Sequence, residues 1–330
     1  MAIVPKSMKT KASQAYDQAT VARQSEMLGN RVKKTLKHMR PQFERKQIGA
    51  FRLYDWEIPE IRAVVDWYEG HIVVGEYVRS QTEGIGWLEA MADGLAMALE
   101  LPRSHIHLRR RNTRPKEGLR YSRLAPEGTK LSVREDAFHF LVDLDSYLDT
   151  GLFTDHRLTR ARIRSEAQGK HVLNLFCYTG SFTVYAAAGG AASTCSVDLS
   201  EHYLDWALQN LRNNKLEGHQ HRMVRSEGRQ FLQDAARRGQ TWDLIILDPP
   251  SFSYREGLVD FDIQRDHRSL VKEALAVLSP KGTLYFSTNH QRFIPALELL
   301  HGVSCEEISA QLLPVDYKGR TPHRLFQLQK

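Results

Sequence analysis

The chain has 330 residues, 42% of them apolar and 26% charged, with a formal net charge of +7. That length accommodates two domains and a substantial core, while no stretch approaches the roughly 20 apolar residues of a membrane span and the opening MAIVPKSMKTKAS has no secretory apolar run. Three widely spaced cysteines, Cys177, Cys195 and Cys305, argue against a disulfide scaffold and against a metal site, and the expected setting is a reducing cytoplasm.

The charge is unevenly placed. Residues 1–50 hold 11 Lys/Arg against 3 Asp/Glu, and residues 101–134 hold 10 against 2. Two basic segments on an otherwise acidic chain resemble an electrostatic footprint for a polyanion, with nucleic acid the leading candidate and a pair of solvated surfaces the plain alternative.

Taken in order, residues 1–19 lack periodicity and read as a basic arm. From Ala22 to Lys46, Met27, Val32, Leu36, Met39 and Phe43 recur at helical spacing. The opposite face carries Lys33, Lys34 and Lys37. Next, AVVDWYEGHIVVGEYV predicts a hairpin turning at Glu69-Gly70, with Trp67 and Tyr68 serving as core or as stacking surface. GIGWLEAMADGLAMALE predicts an amphipathic helix stopping before Pro102. HIHLRRR predicts a strand in which His105 and His107 are surface imidazoles. It enters a long basic loop where Arg109, Arg110, Arg111 and Arg114 lie near Tyr121, the mixture used by single-strand binders. LSVRED and AFHFLVDLD predict a second hairpin, and SYLDTGLFTDHRLTRARI a hinge in which Asp155 caps the following helix. The expected division is a basic arm and helix over 1–50, an α+β substrate- or RNA-binding domain over 51–150, and a catalytic domain over 151–330.

From His171 onward strands and helices alternate. Strands are expected near 172–176, 194–197, 221–225, 243–247, 282–286, 303–308 and 322–328, which makes a seven-stranded doubly wound α/β sheet. Its first unit, VLNLFCYTGSFTVYAAAGGAASTCSVD, is a strand, a tight turn closing at Gly180, a helix of small residues and a second strand ending at Asp198. Parallel strands put that turn and that acid at one sheet edge. A helix N-terminus there attracts an anion, and the acid can accept both ribose hydroxyls. An ordinary βαβ unit with an acidic loop remains the alternative. With one glycine where dinucleotide folds want three, a cofactor without a pyrophosphate is favoured, S-adenosylmethionine being the obvious one.

The other specific stretch is WDLIILDPPSFS. A fully apolar run ends at Asp248-Pro249-Pro250, and ligands of such sheets bind beyond the carboxyl ends of the strands. Two prolines cannot continue a ladder; a planar base beside them would meet the acid at its edge and Phe252 or Tyr254 on its face. Glu227 is either an acceptor for an adenine amino group or a helix-start acid. Asn289 and His290 end the fifth strand facing the same crevice, and Asp316, Lys318 and Arg320 are weaker candidates.

NLFCYTGSFTVYAAAGGA, VDLS, LDPPSFS and FDIQRDHRSLV together resemble the class I S-adenosylmethionine-dependent methyltransferases of bacterial ribosomal RNA. Within them the resemblance is to the guanine-N7 enzymes that form the C-terminal half of a bifunctional 23S rRNA methyltransferase. NRVKKTLKHMR, FRLYDWEIPE and YLDTGLFTDHR extend it over nearly the whole chain. The resemblance implies a Rossmann-like seven-stranded sheet preceded by a smaller α+β domain. It implies that Asp155 and Arg157 hold the methionine end of the cofactor. Asn174 and the turn Phe176, Cys177, Tyr178, Thr179, Gly180 would line it, with Asp198 and Leu199 at the ribose, Glu227 at the adenine, and Asp248, Pro249, Pro250 and Phe252 at the target base.

Two departures shape the expectation. The sequence shows nothing corresponding to the THUMP and guanine-N2 methyltransferase domains of the fused enzyme, so RNA capture falls to the basic segments or to a separate THUMP-containing partner. Related 5-methylcytosine enzymes place a catalytic cysteine after the fifth strand, where this chain has Ser287-Thr288-Asn289. The expected activity is therefore methyl transfer to a guanine of 23S rRNA, at N7 in preference to N2. A methyltransferase acting on another RNA base, or a non-catalytic ribosome assembly factor, stands as the alternative.

Overall fold

The computed structural model describes residues 16–111, 128–253, 260–297 and 302–330. The expected arm, the basic loop with Arg114 and Tyr121, and Tyr254 lie outside the described residues. The chain forms two compact units, one from residues 1–41 and 53–115 and the other from residues 42–52 and 116–330.

The first unit takes most of a long helix α1 (Gln18–Arg45) and the second half of β1 (Ala50–Asp55), residues 42–52 falling to the second unit, and then β2 (Ala63–Tyr68), β3 (His71–Tyr77), α2 (Trp87–Leu99) and β4 (Ile106–Arg111). The strands make one sheet in that order, with β2 and β3 antiparallel and β4 parallel to β3. The hairpin turns at Glu69-Gly70, where both residues have positive φ (44° and 95°). Helices α1 and α2 approach closely through glycines: a Cβ on Gly29 would lie 2.9 Å from that of Ala98. The Trp87 indole N–H donates to Gln24 at 2.7 Å in the same interface. Trp67 and Tyr68 are core residues, Trp67 lying under the Arg40 guanidinium.

The second unit opens with a hairpin, β5 (Lys130–Glu135) and β6 (Phe138–Asp143). There follow α3 (Arg157–Glu166), β7 (His171–Leu175), α4 (Ser181–Ala188), β8 (Ser193–Asp198), α5 (Glu201–Asn213), β9 (His221–Arg225), α6 (Gly228–Arg237) and β10 (Trp242–Leu247). A two-strand ribbon, β11 (Phe252–Ser253) and β12 (Phe261–Asp262), precedes α7 (Ile263–Ala276), β13 (Leu278–Thr288), β14 (Ser304–Glu307) and β15 (Arg324–Gln329). The hairpin belongs to this unit because α5 satisfies its backbone. Asn210 accepts from Leu141 N at 2.9 Å, and the Trp206 indole donates to Leu141 O at 3.0 Å. Behind it, Arg160 makes a bidentate pair with Glu135, both contacts 2.6 Å and both residues fully buried.

The seven strands run β14-β15-β13-β10-β7-β8-β9. All neighbours from β13 to β9 are parallel, while β15 runs antiparallel to both β13 and β14. Period-two alternation divides the central strands between the sheet's two faces: Ile245 and Leu247 join one apolar cluster, Leu244 and Ile246 the other. Burial on both faces is what makes LIIL a continuous apolar run. The order reverses between β7 and β10, and a crevice opens at such a point beyond the carboxyl ends.

Candidate active site

A cleft of about 700 Å³ lies in the second unit, bounded by the segments that follow β7, β8, β10 and β13. That is within the size range of small-molecule sites. Phe176, Cys177, Tyr178, Asp198 and Leu199 line one part of it, and Asp248, Pro249, Pro250 and Asn289 line another.

The turn after β7 is built to aim backbone at the acid after β8. Phe176 and Tyr178 both take left-handed φ, 55° and 50°, and Gly180 follows at 72°. For non-glycine residues this conformation is strained and clusters at functional sites. What holds it here is Asp198: one carboxylate oxygen accepts Tyr178 N–H at 3.0 Å, the other Ser200 N–H at 2.9 Å. An ionised carboxylate offers about four acceptor positions, and Asp198 lines the cleft. Glycine is required at the start of α6, where a Cβ on Gly228 would stand 2.7 Å from the Phe176 ring. Cys177 is buried, and that burial, with Asp198 nearby, pushes its thiol well above the usual range.

At the other part of the cleft, Asp248 is held by Ser287, whose Oγ donates to Oδ1 at 2.5 Å, and it faces His156 Nε2 at 3.6 Å. Ser251 Oγ donates to Asn289 Oδ1, orienting that amide at the cleft wall.

Several residues singled out from the sequence are placed elsewhere. Arg157 is buried and spends its guanidinium on Asp316 at 3.1 Å and Ala50 O at 2.7 Å. Asp155 does not cap α3; its carboxylate accepts from His323 Nδ1 at 2.8 Å. Burial opposes ionisation of Asp155, but the His323 bond and neighbouring cations outweigh it and hold the carboxyl below its ordinary range. Asn174 donates to Thr183 at 2.9 Å, and Thr179 donates to Gly151 O at 2.5 Å; both are buried off the cleft. Gly180 caps α4 from behind the wall, a Cβ there meeting Ala207 at 2.6 Å. Glu227 caps α6, accepting from Gln230 N at 2.8 Å, and its neighbours Ser226 and Gly228 reach the cleft. Phe252 is exposed on β11 and outside the lining.

Sequence reasoning missed the wall opposite: Tyr147, Phe153, His156, His202 and Tyr203 also line the cleft. The signal for two of them was their place in the first turn of α5, directly after VDLS. For His156 it was the position between Asp155 and Arg157. Asp155, His156 and His323 bring one potential metal-ligand atom each within 4.8 Å of one another. The two imidazoles stack at 3.8 Å with planes 20° apart, however, so their in-plane lone pairs do not converge on one ion.

In the first unit, Lys33, Lys34 and Lys37 are exposed along α1. Arg109 is not a surface cation: it is 3% exposed, lying on the face of β4 that crosses Gly75. Arg110 is exposed and pairs with Glu89, and Arg111 is half-buried. His107 is buried as well, 3.0 Å from His71, with His105 stacked on that ring at 4.1 Å. No helix among the described residues is long and apolar enough to cross a membrane.

Comparison with known proteins agrees with this geometry. The family model for S-adenosylmethionine-dependent methyltransferases matches residues 52–313. The ribosomal RNA large subunit methyltransferase K of Neisseria meningitidis serogroup B is 40% identical over 305 residues, covering 91% of this chain and 86% of that one. A ribosomal RNA large subunit methyltransferase K/L of Pseudomonas putida is 40% identical over 328 residues; the match takes 98% of this chain but only 44% of that one. The chain thus spans less than half the length of its K/L relatives. Among solved structures, a methyltransferase from Streptococcus mutans superposes with a TM-score of 0.73 at 22% identity, covering 93% of this chain and 81% of that one. A methyltransferase complexed with S-adenosylhomocysteine gives 0.72 at 23%, covering 96% and 83%. The chain belongs to the S-adenosylmethionine-dependent methyltransferases.

Proposed function

We propose that the chain methylates a guanine of 23S ribosomal RNA, at N7. The observation that carries this is a single cleft joining Asp198 to Asp248-Pro249-Pro250, in a chain 40% identical to a relative named for large-subunit rRNA methylation. S-adenosylmethionine supplies an electrophilic methyl on its sulfonium. Asp198 accepts the ribose hydroxyls, Leu199 and the turn residues Phe176, Cys177 and Tyr178 flank the nucleoside, and Glu227, between the cleft-lining Ser226 and Gly228, accepts the adenine amino group. Asp155 and Arg157 act from behind the wall, fixing His323 and Asp316.

On the acceptor side, Asp248 takes the N–H edge of guanine and the two prolines bound its face, with Phe252 exposed on the neighbouring β11 as a surface for the RNA beyond the cleft. Guanine N7 has an in-plane lone pair and no proton to lose, so the site needs alignment and a nearby negative charge and no general base. Alignment of this kind contributes on the order of 7–11 kcal/mol to lowering a barrier. Covalent activation of a pyrimidine has no support. Ser287 and Thr288 end β13 and Asn289 follows it, Cys195 is buried in the core and its thiol is pushed by burial up to about 11, and Cys305 sits on edge strand β14. Lys33, Lys34, Lys37, Arg110 and Arg111 supply phosphate contacts, in a cytoplasmic setting, and a separate THUMP-containing guanine-N2 methyltransferase is a candidate partner for RNA capture.

The test is methylation of a 23S rRNA transcript by the purified chain, followed by nucleoside mass spectrometry. A product co-eluting with 7-methylguanosine supports the reading; a methylated cytosine or adenosine, or no methyl uptake, refutes it.

A further inference from the structure

Behind Asp248 stands a row of side chains, Asp155, His323, His156 and Phe182, in which His156 has no part in methyl transfer as outlined. Asp155 accepts from His323 at 2.8 Å. The His323 ring stacks on His156 at 3.8 Å, and Phe182 makes a T-shaped contact with His156 at 5.5 Å. The His156 plane is therefore fixed by its neighbours. Its Nε2 stands 3.6 Å from Asp248 Oδ2, while the other oxygen of that acid is held by Ser287.

His156 is 4% exposed, and its Nδ1 has no hydrogen-bond partner among the described residues. A buried unsatisfied nitrogen costs about 1–3 kcal/mol, so stability gives no reason to keep it. The charged and titratable groups around the ring are Asp155 from its own turn, Arg160 from α3, Asp248 after β10 and His323 before β15. Burial, aided by His323, pushes the imidazole down to about 4, leaving it neutral with one proton at pH 7. Of the two nitrogens, Nε2 is the one beside a carboxylate, and the proton is favoured there. A gap of 3.6 Å is longer than a hydrogen bond but leaves the two groups as neighbours.

We propose that His156 is a positioning residue for methyl transfer: its Nε2–H steers the Asp248 carboxylate into the orientation in which the acceptor base meets it, with His323 and Asp155 fixing the ring from behind. The inference rests on the reading of Asp248 as the acid that faces the base.

The test uses the full chain, a 23S rRNA transcript and labelled S-adenosylmethionine. His156→Phe keeps the ring stack but has no N–H. It should lower kcat by about 10- to 100-fold, the scale of a misplaced reacting group, while KM for the cofactor and S-adenosylhomocysteine affinity stay within about threefold. His156→Gln, which restores a side-chain N–H, should recover most of that loss. Adding His156→Phe to Asp248→Asn should slow the enzyme no further than Asp248→Asn alone. The proposal is overturned if His156→Phe turns over at the wild-type rate, if His156→Gln is as slow as His156→Phe, or if the two losses multiply. Should Asp248→Asn itself keep the wild-type rate, the base-facing role of Asp248 falls, and the steering role with it.

Discussion

Asp198 joins the cofactor reading to a measurable geometry, because one carboxylate has two tasks. It closes the Phe176–Gly180 turn through Tyr178 N–H and Ser200 N–H, at 3.0 and 2.9 Å, and it lines the cleft. Asp198→Ala removes both. A hydrogen bond to a charged group is worth about 1.5–3 kcal/mol, so loss of one ribose contact should weaken S-adenosylhomocysteine by roughly 10- to 160-fold. Release of Tyr178 from its φ of 50° pushes the affinity the same way, since the turn then has to be ordered on binding. Asp198→Asn keeps one acceptor oxygen but turns an NH₂ toward one of the two backbone donors, and should fall between wild type and Asp198→Ala. Isothermal titration with S-adenosylhomocysteine reads the affinity, and a cooperative thermal melt certifies the fold. An affinity within about twofold of wild type in a folded Asp198→Ala variant would refute the ribose role.

Glu135→Gln leaves the fully buried Arg160 without its counter-charge and should cost about 3–5 kcal/mol in denaturant unfolding; a shift under about 1 kcal/mol would show the pair to be solvated. Because the folded-state pKa of His156 lies below its ordinary 6.5, at about 4, the unfolded chain binds the extra proton. The His156 contribution is therefore complete above pH 6.5 and is lost as pH falls from 6.5 to 4, up to ~3 kcal/mol in all; His156→Gln should flatten the stability curve across that window, and an unaltered curve would contradict the assignment. Replacing Lys33, Lys34 and Lys37 together by Ala should reduce the salt slope of RNA binding by roughly 2, at about 0.7 per lost phosphate contact on single strands. Arg109→Ala, at a buried position, should leave the slope alone and lower stability; the reverse pattern would move the RNA surface onto β4.

The doubly wound sheet was legible because burial on both faces writes itself as apolar runs. Leu244–Leu247 is one, and β10 extends it by only two residues. The hairpin at Glu69-Gly70 was legible from its turn chemistry. Charged and polar residues misled where their partner is distant in sequence. Arg157 meets Asp316 across 159 positions, and Asp155 meets His323 across 168, so nothing local marks either as buried. Arg109 and His107 alternate onto the covered face of β4, whereas a run of basic residues reads as surface. Tyr147, Phe153 and His156 all lie within YLDTGLFTDHR, which the resemblance already covers, but no periodicity or spacing marks these three as cleft residues, and they meet only in the folded chain.

The most direct test of guanine-N7 methylation is chemical and reads the reacting atom. Methylation at N7 makes the base cationic, so borohydride reduction opens its imidazole ring and aniline then cleaves the strand at that nucleotide. Methylation at N2 leaves the ring neutral and the strand intact. A 23S rRNA transcript incubated with the purified chain and S-adenosylmethionine should break at a single guanine after this treatment, and Asp198→Ala should abolish the break. Methyl incorporation into the RNA with no scission would contradict N7 as the acceptor.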